Sequence, residues 1–448
     1  MAFIRSISGL RATLGDDLTP AVVADYASAF AAILPPGPIA IGADGRPSGK
    51  WILDVVLGAL RASGRTVHLL GMATTPTVQL FVEHSDAAGG IAITASHNPA
   101  PWNGLKFVDG SGVFLDADAN ARLWDHVDNR RFVLSSEQQH GDRIYFEGAD
   151  KHHVDRVLAL DVVRAAPRAN GERVVVDAVN CSGSFIVPML LEELGYEVVH
   201  LYADGSGIFP HTPEPLAENL TDLSAAVLQH GAAFGVAVDP DADRLVLLDG
   251  SGTPIGEERT IALATEAVMT LGTGGDVVVN YSTTRVVDDI AAAHGYRAHR
   301  APVGEINVVR RMASVGAVIG GEGSGGVIYP ACHAGRDSIV GLGLITSLLR
   351  HRGIGLAEAS ASLPQYAMVK TKFACADRAS AASGLDAVAQ AFADATVSRE
   401  DGVHAAWSDR WVHVRTSNTE PIVRIIAEAP TRAEADELIA RVSAIIHA

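Results

Sequence analysis

The sequence predicts an α/β protein with three similar mixed α/β domains followed by a smaller C-terminal α+β domain. Short runs of β-branched residues alternate with Ala/Leu-rich stretches of helical period, a pattern typical of parallel sheets covered by helices. The pattern occurs three times and changes from about Tyr366 onward. A length of 448 residues exceeds what one hydrophobic core usually supports, which also favours several domains.

Each of the three α/β passes contributes predicted strands, and the first pass has a predicted helix over Trp51–Ala62. The predicted strands are, in chain order, 39–41, 67–69 and 91–93, then 174–176, 198–200 and 236–238, and finally 277–279, 296–300 and 317–319. Near the C-terminus, strands over 411–414 and 423–426 flank a polar loop, and a helix is predicted over 433–448. The predicted domains are 1–145, 146–250, 251–364 and 365–448.

A polar loop follows the last buried strand of each α/β pass. These loops are 94–99, 239–244 and 321–326. In open α/β sheets, ligands bind at the carboxyl ends of the strands. Because the three loops occupy equivalent positions on similar domains, we expect one site assembled between the domains.

The second loop carries three carboxylates at alternate positions, Asp239, Asp241 and Asp243. Alternation places them on the same side of an extended segment, where three like charges repel one another. A bound divalent cation would relieve this repulsion, and ligands that offer only oxygen favour Mg²⁺. The alternative is a solvated acidic turn. A calcium-sensing loop of the EF-hand kind is disfavoured because its glycine and terminal glutamate are missing.

Ser96 stands in the first loop, where a strand turns into the segment His97-Asn98-Pro99. A serine in such a place is most often a turn or cap residue, but it can also be a nucleophile exposed at a strand end. The surrounding residues do not form the G-x-S-x-G elbow of α/β-hydrolases. Taken alone, this loop leaves both roles open.

The third loop, Gly321–Gly326, formally matches the dinucleotide-binding pattern G-x-G-x-x-G. The match is spurious because the following residues, 327–330, do not open a helix. Instead, Glu322 and Ser324 can present oxygen atoms to sugar hydroxyls, and the glycines allow a close approach of the backbone.

A fourth polar loop lies between the two C-terminal strands. It begins at Arg415 and continues through Ser417, Asn418 and Thr419 to Pro421. A guanidinium, hydroxyls and an amide together can form an anion cradle, in which arginine binds phosphate through two hydrogen bonds. A polar hairpin turn is the alternative.

Composition and charge exclude several classes of protein. A net charge of −17 argues against a nucleic-acid or anionic-membrane surface, because the field would repel both. No uncharged apolar run reaches the roughly 18 residues of a membrane-spanning helix, and Met1–Leu10 lacks the apolar core of a signal peptide. Cys181, Cys332 and Cys375 share no motif spacing, which indicates a reducing compartment. We therefore expect a cytoplasmic enzyme, a monomer or a homodimer.

Taken together, the four loops resemble those of one family, the α-D-phosphohexomutases, in order and at compatible spacing. The resemblance covers essentially the whole chain and includes three further segments. These are 103–106 after the first loop, and 209–210 and 213–216 before the second. The combination of 7–11 with 321–328 is closest to chains called phosphoglucosamine mutases, with phosphomannomutase/phosphoglucomutase nearly as close.

The resemblance implies three related α/β domains and a mobile fourth domain around a central cleft, and it assigns roles to residues. Ser96 would carry the phosphoryl group. Mg²⁺ would be held by Asp239, Asp241, Asp243 and an oxygen of the Ser96 phosphate. The reaction centre would be lined by Arg11, His97, Lys106 and Arg244. The phosphosugar would be bound by Glu322 and Ser324 at its hydroxyls, and by Arg415, Ser417, Asn418 and Thr419 at the phosphate that is not transferred. A sugar 1,6-bisphosphate would be the intermediate and activator.

Two departures from the family pattern leave the general acid/base open. Many relatives carry His where this chain has Gly326, and Gly where Ala12 follows Arg11. His333, or a residue of the segment 335–337, could take the role of the missing His. Two other functions share the same loops. One is a phosphatase, in which water intercepts the phosphoserine, and the other is a non-catalytic phosphosugar-binding protein.

Overall fold

The computed structural model describes residues 3–136, 139–374, 378–416 and 422–446. It confirms the predicted fold class, since three mixed sheets are accompanied by helices and a fourth, antiparallel sheet lies near the C-terminus. The domain limits drawn from the sequence, after residues 145, 250 and 364, are kept as a proposed division. None of the described helices is both long and apolar enough to cross a membrane.

Seven strands form the sheet of the first domain. Its elements are β1 Phe3–Ser6, β2 Gly9–Thr13, α1 Pro20–Ile33, β3 Ile39–Ala43, α2 Gly49–Ala62, β4 Val67–Met72, α3 Thr75–Glu83, β5 Gly89–Ile93, β6 Trp102–Asp109, α4 Ala117–Asp128 and β7 Arg143–Tyr145. The strand order is β1-β2-β6-β5-β3-β4-β7. Strands β5, β3, β4 and β7 are parallel, whereas β6, β2 and β1 alternate in direction.

Two smaller mixed sheets follow. The next elements are α5 Ala149–Leu158, α6 Asp161–Arg164, β8 Arg173–Asp177, α7 Gly183–Glu193, β9 Glu197–Tyr202, a 3₁₀ turn at Ala217–Asn219, α8 Thr221–His230, β10 Phe234–Val238 and β11 Leu245–Asp249. Those of the third sheet are α9 Glu257–Leu271, β12 Val277–Asn280, α10 Val286–Ala293, β13 Ala298–Ala301, α11 Glu305–Val315, β14 Ile319–Glu322, β15 Gly326–Tyr329, β16 His333–Arg336, α12 Ser338–Arg352 and α13 Leu356–Ala361. The strand orders are β11-β10-β8-β9 and β13-β12-β14-β15-β16.

The last sheet is antiparallel throughout, in the order β17-β21-β20-β19-β18. Its elements are β17 Ala367–Ala374, α14 Arg378–Ala391, β18 Thr396–Ser398, β19 Val403–Ala406, β20 Trp411–Thr416, β21 Ile422–Ala429 and α15 Arg432–Ile446. This confirms the predicted change of architecture. The largest hydrophobic core joins the second and third domains and includes Leu80 of α3, whereas the first and last domains also have cores of their own.

The polar loops of the three mixed sheets occupy one common position. Each loop leaves the parallel strand that borders the antiparallel part of the sheet and returns through an antiparallel partner. The strand pairs are β5–β6, β10–β11 and β14–β15. The three loops therefore occupy equivalent positions because their sheets share the same local topology.

Most of the predicted parallel strands are confirmed, but the one at 317–319 is wrong in position. The strand β14 begins only at Ile319 and extends through Glu322. Helix α11 ends at Val315 and is capped by Gly316, which has a left-handed φ of +67°, and the N–H of Ala317 still bonds to the carbonyl of Met312. The helix cap therefore holds Ala317 out of the strand. As a consequence, Glu322 lies on a strand end and only 323–325 form the turn.

Candidate active site

Ser96 is fully buried and has a left-handed backbone with a φ of +52°. Its Oγ donates a hydrogen bond to Asp239 Oδ2 at 2.8 Å, across the boundary between the first and second sheets. Its own N–H donates to Thr94 Oγ1 at 2.8 Å. A non-glycine residue in this conformation costs about 1–3 kcal/mol, so the surrounding contacts must hold it in place.

Arg46 provides those contacts by donating to the carbonyl oxygens of the loop. Its Nη2 reaches the carbonyls of Ser96 at 2.5 Å and Asn98 at 2.7 Å. Its Nη1 reaches those of Pro99 and Trp102, both at 3.1 Å. One guanidinium therefore satisfies four loop carbonyls, which a lysine could not do in a fixed geometry.

The charge of Arg46 is balanced by Asp44, which follows strand β3. Arg46 Nε donates to Asp44 Oδ2 at 3.0 Å, and Thr94 Oγ1 donates to the same oxygen at 2.7 Å. The guanidinium also lies 4.7 Å from the centre of the Phe209 ring. The position of Ser96 therefore depends on a buried ion pair one strand away.

Asp239, Asp241 and Asp243 bring carboxylate oxygens within 4.8 Å of one another, and all three side chains are buried. The turn between them passes through Ala242, whose φ is +53°. The backbone N–H groups of Asp243 and Arg244 both donate to Asp239 Oδ1 at 3.1 Å. The alternative of a solvated acidic turn is therefore wrong, because these carboxylates are closed off from water.

Lys106 and Arg336 donate hydrogen bonds to this cluster. Lys106 Nζ donates to Asp241 Oδ2 at 2.5 Å and to Asp243 Oδ2 at 2.8 Å, and Arg336 Nη2 donates to Asp243 Oδ2 at 2.7 Å. The Oδ1 atoms of Asp241 and Asp243 are buried and have no hydrogen-bond partner. Buried carboxylate oxygens without donors are suited to a divalent metal ion, so the residues present fit Mg²⁺.

Asp239 and Asp243 differ in proton affinity. Burial raises the pKa of Asp239 well above its ordinary value, and the charges of Asp243 and Asp241 add to the effect. Burial also acts to raise the pKa of Asp243, but Arg336 and Lys106 outweigh it and hold that pKa below the ordinary range. Asp239 thus has less compensation from positive charge than Asp243.

His97 lies beside the serine, with its Nδ1 3.3 Å from Ser96 Oγ. Burial lowers the pKa of His97 to about 2, and the positive charges of Arg244 and Arg11 contribute. The imidazole is therefore neutral near pH 7 and can take part in hydrogen bonds, but so low a pKa makes it a weak proton acceptor.

Arg11 and Arg244 approach the same centre from two domains. Arg11 Nη1 donates to Asn98 Oδ1 at 3.0 Å in the serine loop. Arg244 Nη1 lies 3.5 Å from Glu214 Oε1, and its Nε lies 4.0 Å from Asp243 Oδ1. The structure thus brings together the serine, the three aspartates and the predicted cations of the reaction centre.

Glu322 is held by contacts on both of its oxygens. Its Oε1 accepts from Asn280 Nδ2 at 2.8 Å and from the N–H of Gly304 at 2.9 Å, while its Oε2 accepts from Arg336 Nη1 at 2.7 Å. Ser324 lies in the turn that follows and is partly exposed. A carboxylate fixed in this way can accept further hydrogen bonds from sugar hydroxyls through its remaining lone pairs.

Arg415 lies at the end of β20, with its Nε 3.3 Å from Asp401 Oδ1. Asp401 Oδ2 accepts the N–H of Val303, next to the Gly304 that binds Glu322. The fourth domain is therefore linked to Glu322 of the third loop through Asp401 and the backbone at 303–304. The other predicted phosphate ligands, Ser417, Asn418 and Thr419, lie outside the described residues.

A second group of possible metal ligands among the described residues is formed by His153, Cys332 and Asp337. Asp337 Oδ2 is already bonded to His153 Nε2 at 2.7 Å and to His333 Nε2 at 2.9 Å. Its Oδ1 caps helix α12 through the N–H of Ile339. These contacts occupy the carboxylate, so the group serves to join helices α5 and α12. His333, one candidate for the missing general acid/base, belongs to this buried group.

Models of one family match the chain from end to end. They are phosphoglucomutase/phosphomannomutase alpha/beta/alpha domains I, II and III over residues 4–134, 151–252 and 256–366, and the C-terminal domain over 371–445. The chain belongs to the phosphoglucomutase/phosphomannomutase family. It is therefore a phosphohexomutase, an isomerase, and the resemblance drawn from the four loops is confirmed.

Two curated relatives of this phosphohexomutase carry different names. A phosphoglucomutase/phosphomannomutase of Thermococcus kodakarensis is 33% identical over 438 residues, which cover 96% of this chain and 95% of the relative. A probable phosphoglucosamine mutase of Methanopyrus kandleri is 32% identical over 435 residues, with coverage of 96% and 95%. The two names imply different substrate sugars for these relatives.

Solved structures show the same fold. A phosphoglucomutase/phosphomannomutase family protein from Burkholderia thailandensis has a TM-score of 0.87 at 25% identity, covering 99% of this chain and 98% of that one. The N-acetylphosphoglucosamine mutase of Aspergillus fumigatus, solved with GlcNAc-6P and magnesium, has a TM-score of 0.60 at 17% identity, covering 100% and 96%.

Sequence reasoning missed two residues of the phosphohexomutase site. Arg46 has no motif of its own, although it follows β3 at the carboxyl end of a parallel strand, where ligand-binding loops are expected. Thr75 begins α3, and its Oγ1 donates to Asp241 Oδ2 at 2.5 Å. A search of every strand end, rather than of the last one in each pass, would have included Arg46.

We predict that Arg46→Met destabilises the first domain, because it leaves Asp44 buried without its partner. Breaking a buried ion pair costs about 3–5 kcal/mol, so the melting temperature should fall by roughly 5–15 °C in calorimetry. Arg130→Met is a matched control, since Arg130 forms an exposed ion pair with Asp25 and such pairs contribute about 0–1 kcal/mol. Equal melting temperatures for the two variants would contradict this account of the serine loop.

Proposed function

We propose that this phosphohexomutase interconverts sugar 6-phosphate and sugar 1-phosphate through a phosphoserine on Ser96 and a sugar 1,6-bisphosphate. The observation that carries the proposal is the hydrogen bond of 2.8 Å from Ser96 Oγ to Asp239, inside a buried carboxylate cluster. A serine with only a turn role would not need its hydroxyl directed at three carboxylates.

In this proposal Asp239, Asp241 and Asp243 hold one Mg²⁺. The ion, when bound, neutralises negative charge on the phosphoryl oxygens, which is the main requirement of phosphoryl transfer. Support comes from the buried Oδ1 atoms that lack hydrogen-bond donors. Lys106, Arg11 and Arg244 add positive charge around the same centre.

We assign His97 and Lys106 to positioning the reacting groups. The neutral imidazole of His97 lies beside Ser96, where it can form a hydrogen bond with the phosphoryl group or with the attacking sugar hydroxyl. Lys106 donates to Asp241 and Asp243 in the described structure, so we assign it the task of holding the carboxylates and the phosphoryl oxygens in register.

The bisphosphate has to turn over so that its second phosphate reaches Ser96. We assign the phosphate that is not transferred to Arg415, Ser417, Asn418 and Thr419, and the sugar hydroxyls to Glu322 and Ser324. The link from Arg415 through Asp401 to the backbone beside Gly304 supports this, because it joins the two binding loops. A fourth domain that moves with its phosphate would allow reorientation without release.

For the sugar, we propose glucosamine 6-phosphate, which makes the chain a phosphoglucosamine mutase. The similarity to the Methanopyrus kandleri relative favours it. The Thermococcus kodakarensis relative supports the second candidate, phosphomannomutase/phosphoglucomutase. A cytoplasmic location belongs to the same proposal, since Cys181 and Cys332 are buried free thiols that suit a reducing compartment.

The phosphoserine is tested by intact-mass measurement after incubation with a sugar 1,6-bisphosphate. Wild type should carry one phosphate, and Ser96→Ala should carry none and lose turnover by at least about 10³-fold, as expected when a covalent carrier is removed. Ser111→Ala, on an exposed turn, is the control. Turnover of the Ser96→Ala variant at the wild-type rate would reject the proposal.

The sugar is tested by comparing kcat/KM for the 6-phosphates of glucosamine, mannose and glucose, with bisphosphate present. We expect glucosamine 6-phosphate to be preferred by about tenfold or more, the size of effect that one selective polar contact gives. A higher value for mannose or glucose would establish the second candidate instead. Free phosphate, measured in the same reactions, should stay at background, and its stoichiometric release would identify a phosphatase.

A further inference from the structure

The side chain of Arg336 fills the space beside Gly326, the first residue of strand β15. A Cβ atom added to Gly326 would lie 2.4 Å from Cδ of Arg336 and 3.0 Å from its Cγ. Real Cβ atoms do not approach other atoms so closely, so any side chain at 326 would have to displace the arginine. Gly326 and Arg336 are therefore a matched pair.

The guanidinium of Arg336 divides its donors among three buried carboxylates. Its Nη2 reaches Asp243 at 2.7 Å, its Nη1 reaches Glu322 at 2.7 Å, and its Nε reaches Glu305 at 3.2 Å. Glu305 is held in turn by Gln79 Nε2 at 2.9 Å, from helix α3 of the first domain. Arg336 is thus the point where the second loop (239–244), the third loop (321–326) and, through Glu305, the first domain meet.

This arrangement depends on the planar fork of arginine. Three carboxylates around one cation would repel one another if that cation were removed, and only a guanidinium offers donors in three fixed directions. A lysine has the charge but is a compact point donor on a flexible stem. Loss of the guanidinium would leave Oε2 of Glu322 without its hydrogen bond. Its Oε1 would keep the hydrogen bonds from Asn280 and Gly304.

We propose that Arg336 is a positioning residue for the sugar. It fixes the Glu322 carboxylate relative to the metal loop and occupies the volume beside Gly326, so that recognition of a sugar hydroxyl by Glu322 depends on residue 336. The inference rests on the proposed function, since it assumes that Glu322 binds a sugar hydroxyl while the phosphoryl group is exchanged with Ser96.

The test compares wild type, Arg336→Lys and the exposed control Arg130→Met on the preferred sugar 6-phosphate and on its deoxy analogues, each lacking one ring hydroxyl. In wild type, removal of the hydroxyl that Glu322 binds should raise KM by about tenfold or more. In Arg336→Lys that penalty should shrink to about twofold, because Glu322 is no longer fixed. An equal rise in KM in wild type and variant, or no rise in KM for any analogue in wild type, would overturn the proposal.

A second pair of variants tests the shared volume. With Arg336 unchanged, Gly326→Ala should lower kcat/KM about tenfold or more, because the added methyl group displaces the Arg336 side chain. In the Arg336→Ala background the same change should cost less than about twofold, since the clash is gone. Additive losses would contradict the pairing. If Arg336→Ala does not fold, the deoxy series with Arg336→Lys decides alone.

The phosphate content of Ser96 separates this inference from the proposed function. Wild type and Arg336→Lys should both take up one phosphate from the bisphosphate, since lysine keeps a positive charge beside Asp243. If both proteins are phosphorylated and the deoxy analogue raises KM equally in both, only the proposed role of Arg336 is contradicted. Absence of phosphate from wild type would instead remove the proposed phosphoserine mechanism.

Discussion

The site depends on one electrostatic constraint, the burial of three aspartates whose carboxylate oxygens lie within 4.8 Å of one another. Buried like charges at such distances are unfavourable unless cations compensate them. Lys106 and Arg336 supply two positive charges from the first and third domains, and a divalent ion would supply the rest. The packing of the first and third domains against the second therefore follows from charge as well as from apolar burial.

Sheet topology explains why these groups can meet. Each mixed sheet changes from parallel to antiparallel at the strand pair that carries its polar loop, so the same edge of each sheet offers a loop of fixed position. The loops contribute a nucleophile, a set of acids and a sugar-binding carboxylate, respectively. Arg46 and Arg336 then lock the first and third loops through side-chain contacts, because loop backbone alone would not hold a left-handed serine or a buried glutamate.

The sequence allowed the fold class and the chemistry of the loops to be predicted, but not the contacts that hold them. The acidic cluster at 239–243 could be predicted because aspartates at every second residue form a local sequence pattern. Arg46 lies 50 residues from Ser96, and Arg336 lies 93 residues from Asp243, so no spacing within one element could reveal either contact. The misplaced strand at 317–319 had a local cause, since the cap of α11 competes with β14 for the same residues.

Anomalous diffraction from crystals grown with Mn²⁺ tests the central claim most directly, because Mn²⁺ accepts the oxygen ligands that suit Mg²⁺. The account predicts one strong peak at about 2 Å from the carboxylate oxygens of Asp239, Asp241 and Asp243, next to Ser96. A peak at His153, Cys332 and Asp337 instead, or none at the aspartates under saturating metal, would contradict it.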